Sequence, residues 1–194
     1  AYFAFQMKIV EIVEDSLYVI KWQEDNMHSL DEMADKLSDA EWLNDYFEEN
    51  KGKLSYYHGI TISKAVRKTI IEGNELLQEL LAFANFEGHD ALDDLFQPLH
   101  KEEAYSHRRF YTDYKAKGVR ALWVRLYAVK CDTNLYVITG YGIKLVRKMQ
   151  DDEYLRNELK KLEKATNYLN EIGMLQKTND EKNQSRKTGK TRLH

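Results

Sequence analysis

The chain has 194 residues, 43% hydrophobic and 12% aromatic, which suits one large domain or a small domain with an added segment. No stretch approaches the roughly 18 consecutive apolar residues of a membrane helix, and a single cysteine, Cys131, can form neither an intrachain disulfide nor a cysteine-based zinc site. The net charge of −3 conceals a polarised chain: residues 1–100 carry 8 basic and 20 acidic side chains, a balance of −12, and residues 101–194 carry 21 and 12, a balance of +9.

That polarity points the C-terminal half at a polyanion, or else at the acidic half of the same molecule. The lone thiol fits a reducing cytoplasm, with Cys131 read as a small apolar residue ending a strand. Residues 1–6 precede Met7, which looks like a natural start, and are expected to be an expression remnant.

From Met7 to Trp22 apolar residues alternate on either side of Glu14-Asp15-Ser16, the pattern of a β-hairpin. Ser29-Leu-Asp-Glu32 and Ser38-Asp-Ala-Glu41 read as capping boxes opening two short helices, the second stopped by Gly52. Thr61 to Phe86 carries helical spacing through Ile62, Val66, Ile70, Leu77 and Leu81, with Gly73 inside it and Gly88 ending it. Lys101 to Gly118 is polar, aromatic and basic, and fits either a helix or a loop. Ala121–Cys131, Leu135–Thr139 and Ile143–Lys148 read as three strands, the last two separated by a bend at Gly140 and Gly142, and together as an antiparallel meander. Asp151 and Asp152 suit the start of a helix whose stripe is Leu155, Leu159, Leu162, Leu169 and Ile172, with Gly173 as its stop. Residues 176–194 are nearly free of apolar side chains and read as a disordered basic tail. The class expected is α+β.

Neither H-E-x-x-H, a P-loop, G-x-G-x-x-G nor G-x-S-x-G occurs, and the six histidines show no ligand spacing, so no cofactor or metal is expected. The basic meander is the candidate site. On a strand Trp123, Arg125, Tyr127 and Val129 share one face, and so do Lys144, Val146 and Lys148. Cations beside the rings of Tyr127 and Tyr141 are what single-stranded RNA requires, charge for phosphates and faces for bases. Arg108, Arg120 and Arg147 add phosphate contacts, and His107 or Tyr141 offers a proton. Lys144 and Lys148 read equally as edge charges that block aggregation, and Trp123 and Tyr127 as core. No helix-turn-helix with a basic recognition helix is evident, which weighs against duplex DNA.

Two runs carry a family likeness. Val124-Arg-Leu-Tyr-Ala-Val-Lys-Cys-Asp-Thr-Asn-Leu-Tyr-Val-Ile-Thr-Gly140 resembles the central hairpin of the RelE/HigB-type toxins of bacterial toxin–antitoxin pairs, and Ile143-Lys-Leu-Val-Arg-Lys-Met-Gln150 resembles their following basic segment. The helix Tyr154–Ile172 and the upstream Leu92–Leu99 are similar to the segments that flank this sheet in HigB-type members. The likeness spans roughly residues 90–175. It implies a small antiparallel sheet packed with a C-terminal helix, and a metal-independent endoribonuclease acting on messenger RNA, in many members at the ribosome. It also implies an antitoxin partner of the helix-turn-helix kind. By position Arg125 matches the family's strand arginine and Lys144 and Lys148 the basic residues after its second strand, which gives all three a catalytic role as the likeness implies it, with Arg120 and Tyr141 looser matches. The acidic segment 7–89 has no counterpart in the compact members, and several members place an acid or base near a C-terminal position where this chain has no clear His or Tyr. A non-catalytic binder of RNA or of a protein therefore stands as the alternative. The acidic segment itself reads as a dimerisation module, giving a homodimer, or as a cover over the basic sheet.

Overall fold

The computed structural model describes residues 7–23, 25–86, 91–99, 110–113 and 123–175. Arg108, Arg120 and His107 lie outside those residues, as do the ends of the 101–118 stretch and the 176–194 tail.

The expected hairpin is present. β1 (Lys8–Val13) and β2 (Leu17–Lys21) pair antiparallel, and Asp15 takes a left-handed φ of 55° in the turn. An acidic residue with a short polar side chain tolerates that conformation better than most. β3 (Phe96–Pro98), β4 (Phe110–Asp113), β5 (Val124–Asp132) and β6 (Leu135–Ile143) complete a sheet of order β1-β2-β6-β5-β4-β3. Every neighbouring pair is antiparallel except β2 and β6, which run parallel with Leu17 opposite Tyr136. The hairpin and the expected meander thus share one sheet. Pro98 sits in the edge strand β3, where its missing N–H breaks no inner ladder.

The third strand expected over Ile143–Lys148 does not form. β6 runs straight through Gly140 and Gly142, and the chain leaves the sheet after Ile143. Leu145 and Val146 stay buried, one in each of the two apolar clusters, although neither is part of the sheet. The two glycines are explained by close approach. A Cβ at Gly140 would collide with the Glu158 carboxylate, and one at Gly142 would meet Leu155 Cδ2 at 2.9 Å. They bring the C-terminal helix onto the sheet.

The helices follow the sequence with shifted ends. α1 (Ser29–Ser38) is capped by His28, whose Nδ1 accepts the Asp31 amide, rather than by Ser29. Ser29 is buried in the first turn, and its hydroxyl donates to the Ile20 and Thr139 carbonyls. α2 (Ala40–Glu49) is capped by Asp39, which accepts the Glu41 and Trp42 amides, and not by Ser38. A carboxylate suits the positive end of the helix dipole. Gly52 does not stop a helix; it lies within α3 (Lys51–His58), which ends at Gly59 with φ 60°. α4 (Ile62–Ala84) has Thr61 as its N-cap, and its Gly73 sits against Leu37 of α1. α5 (Ala91–Leu95) leads into β3, and α6 (Glu153–Glu171) has Asp152 as N-cap and Gly173 at positive φ after it, as expected.

Helices cover both faces of the sheet. Leu17, Val19, Val124, Leu126, Ala128 and Ile138 pack with Leu30, Met33, Leu37, Leu43, Phe47, Leu76 and Leu80 of α1, α2 and α4. Ile20, Tyr127, Val129, Cys131 and Val137 pack with Leu155, Leu162, Ala165 and Leu169 of α6. Trp123, expected to share a face with Tyr127, precedes β5 and joins the α1–α4 side instead. Leu17 and Val19 are fully buried, each contributing about 1.5–3 kcal/mol. The N-terminal segment is therefore joined to the sheet by apolar core, which does not suit a detachable acidic cover. No helix among the described residues is long and apolar enough to cross a membrane.

Candidate nucleic-acid interface

The residues singled out from the sequence separate into two groups. Arg125 is 6% exposed, Tyr127 1% and Tyr141 4%, so none of these three presents its side chain broadly to solvent. Arg125 and Tyr127 lie opposite Gly142 and Gly140, beneath α6. Burial pushes the Tyr141 phenol far above its ordinary value, and Glu32 and Glu158 push it further, so it stays protonated and acts as a hydrogen-bonding group. The second group follows β6. Lys144 is partly exposed, and Arg147 and Lys148 are exposed and make no ion pair among the described residues.

Trp123 organises this second group. Its backbone N–H donates to Glu72 at 2.9 Å, its indole N–H donates to Thr69 at 3.1 Å, and its carbonyl accepts the Lys144 amide at 2.7 Å. His58 packs edge-on against its ring at 5.1 Å, and the Lys68 ammonium lies 4.7 Å from the ring centroid while pairing with Glu72. One buried tryptophan, through its ring and its backbone, thus holds the end of α3, the first half of α4 and the start of the basic segment together.

Two further contacts tie α3 alongside that segment. The His58 Nε2 meets the Leu145 carbonyl at 3.0 Å, and Lys53 pairs with Asp152 at 2.6 Å. Burial works to raise the Asp152 carboxyl, but the hydrogen bonds from Lys53 and the Leu155 amide overcome it and hold the group below its ordinary range. Between these anchors α3 presents Tyr56, 82% exposed, and the exposed Tyr57, edge-to-face at 4.7 Å. Lys64 lies one turn before Lys68 on the same stripe of α4. Lys64 and Arg67 are exposed and free of ion pairs among the described residues.

The result is a meeting of two basic runs: Lys64 and Arg67 on one and Arg147 and Lys148 on the other are exposed, His58 touches both Trp123 and the Leu145 carbonyl, and α3 carries the two exposed tyrosine rings. Averages over half the chain hid it. Between Glu49 and Glu72 no acidic residue occurs, and five of the eight basic residues of the acidic half fall at 51–68. A shorter charge window would have found that run, whereas its meeting with residues 144–148 depends on the fold.

A second feature adjoins it. Lys36, Trp42, Tyr46, Tyr141, Gly142, Ile143 and Tyr154 line a partly open pocket of about 90 Å³ where β6 ends. Trp42 and Tyr46 stack at 5.6 Å, the Lys36 ammonium lies 5.4 Å from the Trp42 ring, and the Tyr154 hydroxyl donates to the Tyr141 carbonyl at 3.1 Å. Behind it Glu158, 1% exposed, contacts Lys161 at 3.1 Å. Burial pushes its carboxyl up to about 7 against the pull of Lys161, with Glu32 and Asp25 raising it further.

Among the described residues no three His, Cys, Asp or Glu side chains converge to hold a metal ion. Comparison with protein-family models, with curated proteins and with solved structures finds no match for this chain.

Proposed function

We propose that this chain is an RNA-binding protein of the RelE/HigB toxin type, acting on messenger RNA in the cytoplasm as a metal-independent endoribonuclease, with an antitoxin as its natural partner. The observation that supports the reading best is the meeting of two basic runs, 51–68 and 144–148, around Trp123, beside the exposed rings of Tyr56 and Tyr57. Exposed cations next to exposed aromatic rings serve phosphates and unstacked bases, the two parts of a single strand. For cleavage, attack of a ribose 2′-OH on the adjacent phosphate needs positive charge on the phosphorane and a proton carrier. Arg147 and Lys148 supply exposed charge, and His58 is the described imidazole in contact with the basic segment.

A second reading has its own observation. Arg125 and Tyr141, which the family likeness makes catalytic, are both buried, and this favours a toxin-type binder that grips RNA without cutting it. Induced expression in a bacterial host separates the two. The first reading expects growth arrest and new messenger RNA ends with the wild type, and neither with Arg147→Glu/Lys148→Glu. Arrest without new ends supports the binder. Unimpaired growth with the wild type contradicts the toxin reading.

A further inference from the structure

We infer that the aromatic pocket at the end of β6 is a pyrimidine subsite, taking one base from an RNA strand whose phosphates run along the neighbouring cationic surface. The inference rests on the RNA reading above and adds a base preference to it.

Continuity is the first argument. Ile143 lines the pocket and Lys144 follows it directly in the chain. The Tyr46 hydroxyl reaches the Ile143 carbonyl at 3.5 Å, and Tyr154 stands two residues after Asp152, the partner of Lys53 on α3. The Asp152 charge is offset by Lys53, and the Glu32 charge by Lys36 at 2.6 Å.

Chemistry is the second. The walls are three tyrosine rings and Trp42, which offer ring faces to a planar guest. Burial holds the phenols of Tyr46 and Tyr141 well above their ordinary value, so both stay neutral, and with the Tyr46 hydroxyl turned to the Ile143 carbonyl it is Tyr141 that offers a donor. Base carbonyls at the edge of a pyrimidine accept such donors.

Size is the third. A cavity of about 150 Å³ takes a benzene ring when fully enclosed. At about 90 Å³ with an open side, this one seats a single six-membered ring partly inserted, and a purine would have to leave its second ring outside the walls.

The test measures fluorescence anisotropy of labelled uridine, cytidine and adenosine nonamers on the full chain. The wild type is expected to bind both pyrimidine nonamers about tenfold more tightly than the adenosine nonamer, the scale of one base–aromatic stack. Trp42→Leu should abolish that preference while leaving adenosine affinity unchanged. Tyr154→Leu, on the other element lining the pocket, should do the same and guards against a misfolded Trp42 variant. Arg147→Glu/Lys148→Glu should weaken all three nonamers alike. Binding with no pyrimidine preference, or a preference that survives both wall variants, overturns the subsite and leaves the RNA reading standing. Failure of the wild type to bind any nonamer overturns both.

Discussion

Arg147→Glu/Lys148→Glu is expected to lower the affinity of the chain for single-stranded RNA by about a hundredfold at moderate salt. Both side chains are exposed and lack an ion pair among the described residues, so nothing in the fold depends on their charge. Each removed phosphate contact reduces the slope of log affinity against log salt by about 0.7 for a single strand, so the double variant should lose roughly 1.4. The added carboxylates then repel the backbone as well. Lys160→Glu/Lys164→Glu on α6 reverses the same number of charges away from this surface and should cost far less. Equal losses in the two double variants would mean that net charge, rather than this surface, governs binding. A salt titration of each variant measures the difference directly.

Glu158→Gln is expected to stabilise the protein by about 3 kcal/mol at pH 8 and to leave it nearly unchanged at pH 4.5. The folded carboxyl is raised from 4.5 to about 7, chiefly by burial beneath α6 against Gly140, so the folded state binds this proton more tightly than the unfolded chain does. Its contribution is fully present below about pH 4.5 and is lost as the pH rises through 7. A shift of that size corresponds to about 3 kcal/mol. Glutamine carries no charge to desolvate and fills nearly the same space, so the variant escapes the loss. The groups facing Glu158 are Lys161 on α6, Glu32 on α1, Asp25, and the phenols of Tyr141 and Tyr154. All of them remain in the variant, so the difference between two urea-denaturation profiles isolates Glu158. A difference that stays flat from pH 4.5 to 8 would show that the carboxyl does not titrate there.

The elements legible in the sequence are those whose signal is local and long. The hairpin shows in its period-two alternation around Asp15, α4 in its 23 residues of helical spacing after Thr61, and α6 in the cap at Asp152 and the stop at Gly173. The capping boxes missed by one residue, because His28 and Asp39 compete with the adjacent serines and buried contacts draw Ser29 inward. Gly140 and Gly142 were misread for a different reason. As breakers they imply a bend, but their purpose is to admit Glu158 and Leu155, which follow more than ten residues later and leave no trace in the local pattern. The parallel pairing of β2 with β6 joins residues more than a hundred positions apart, beyond any periodicity argument.

The candidate site divides the same way. Lys144, Arg147 and Lys148 were visible as a basic run, and they remain part of the proposed surface. Strand alternation put Arg125 and Tyr127 there, with the family likeness adding to Arg125, and alternation says which residues share a face but not whether a helix covers it. α6 does cover it. His58 and Lys68 come from the acidic half of the chain, and Trp123 gathers them only through the tertiary fold.

Hydrogen exchange of the full chain, with and without a uridine nonamer, tests the central claim most directly. Bound RNA should slow exchange at residues 51–58 and 144–150 and leave β1, at the far edge of the sheet, unchanged. Protection confined to β1 or to α6, with 51–58 and 144–150 unaffected, would contradict the claim that these two basic runs form one RNA-binding surface.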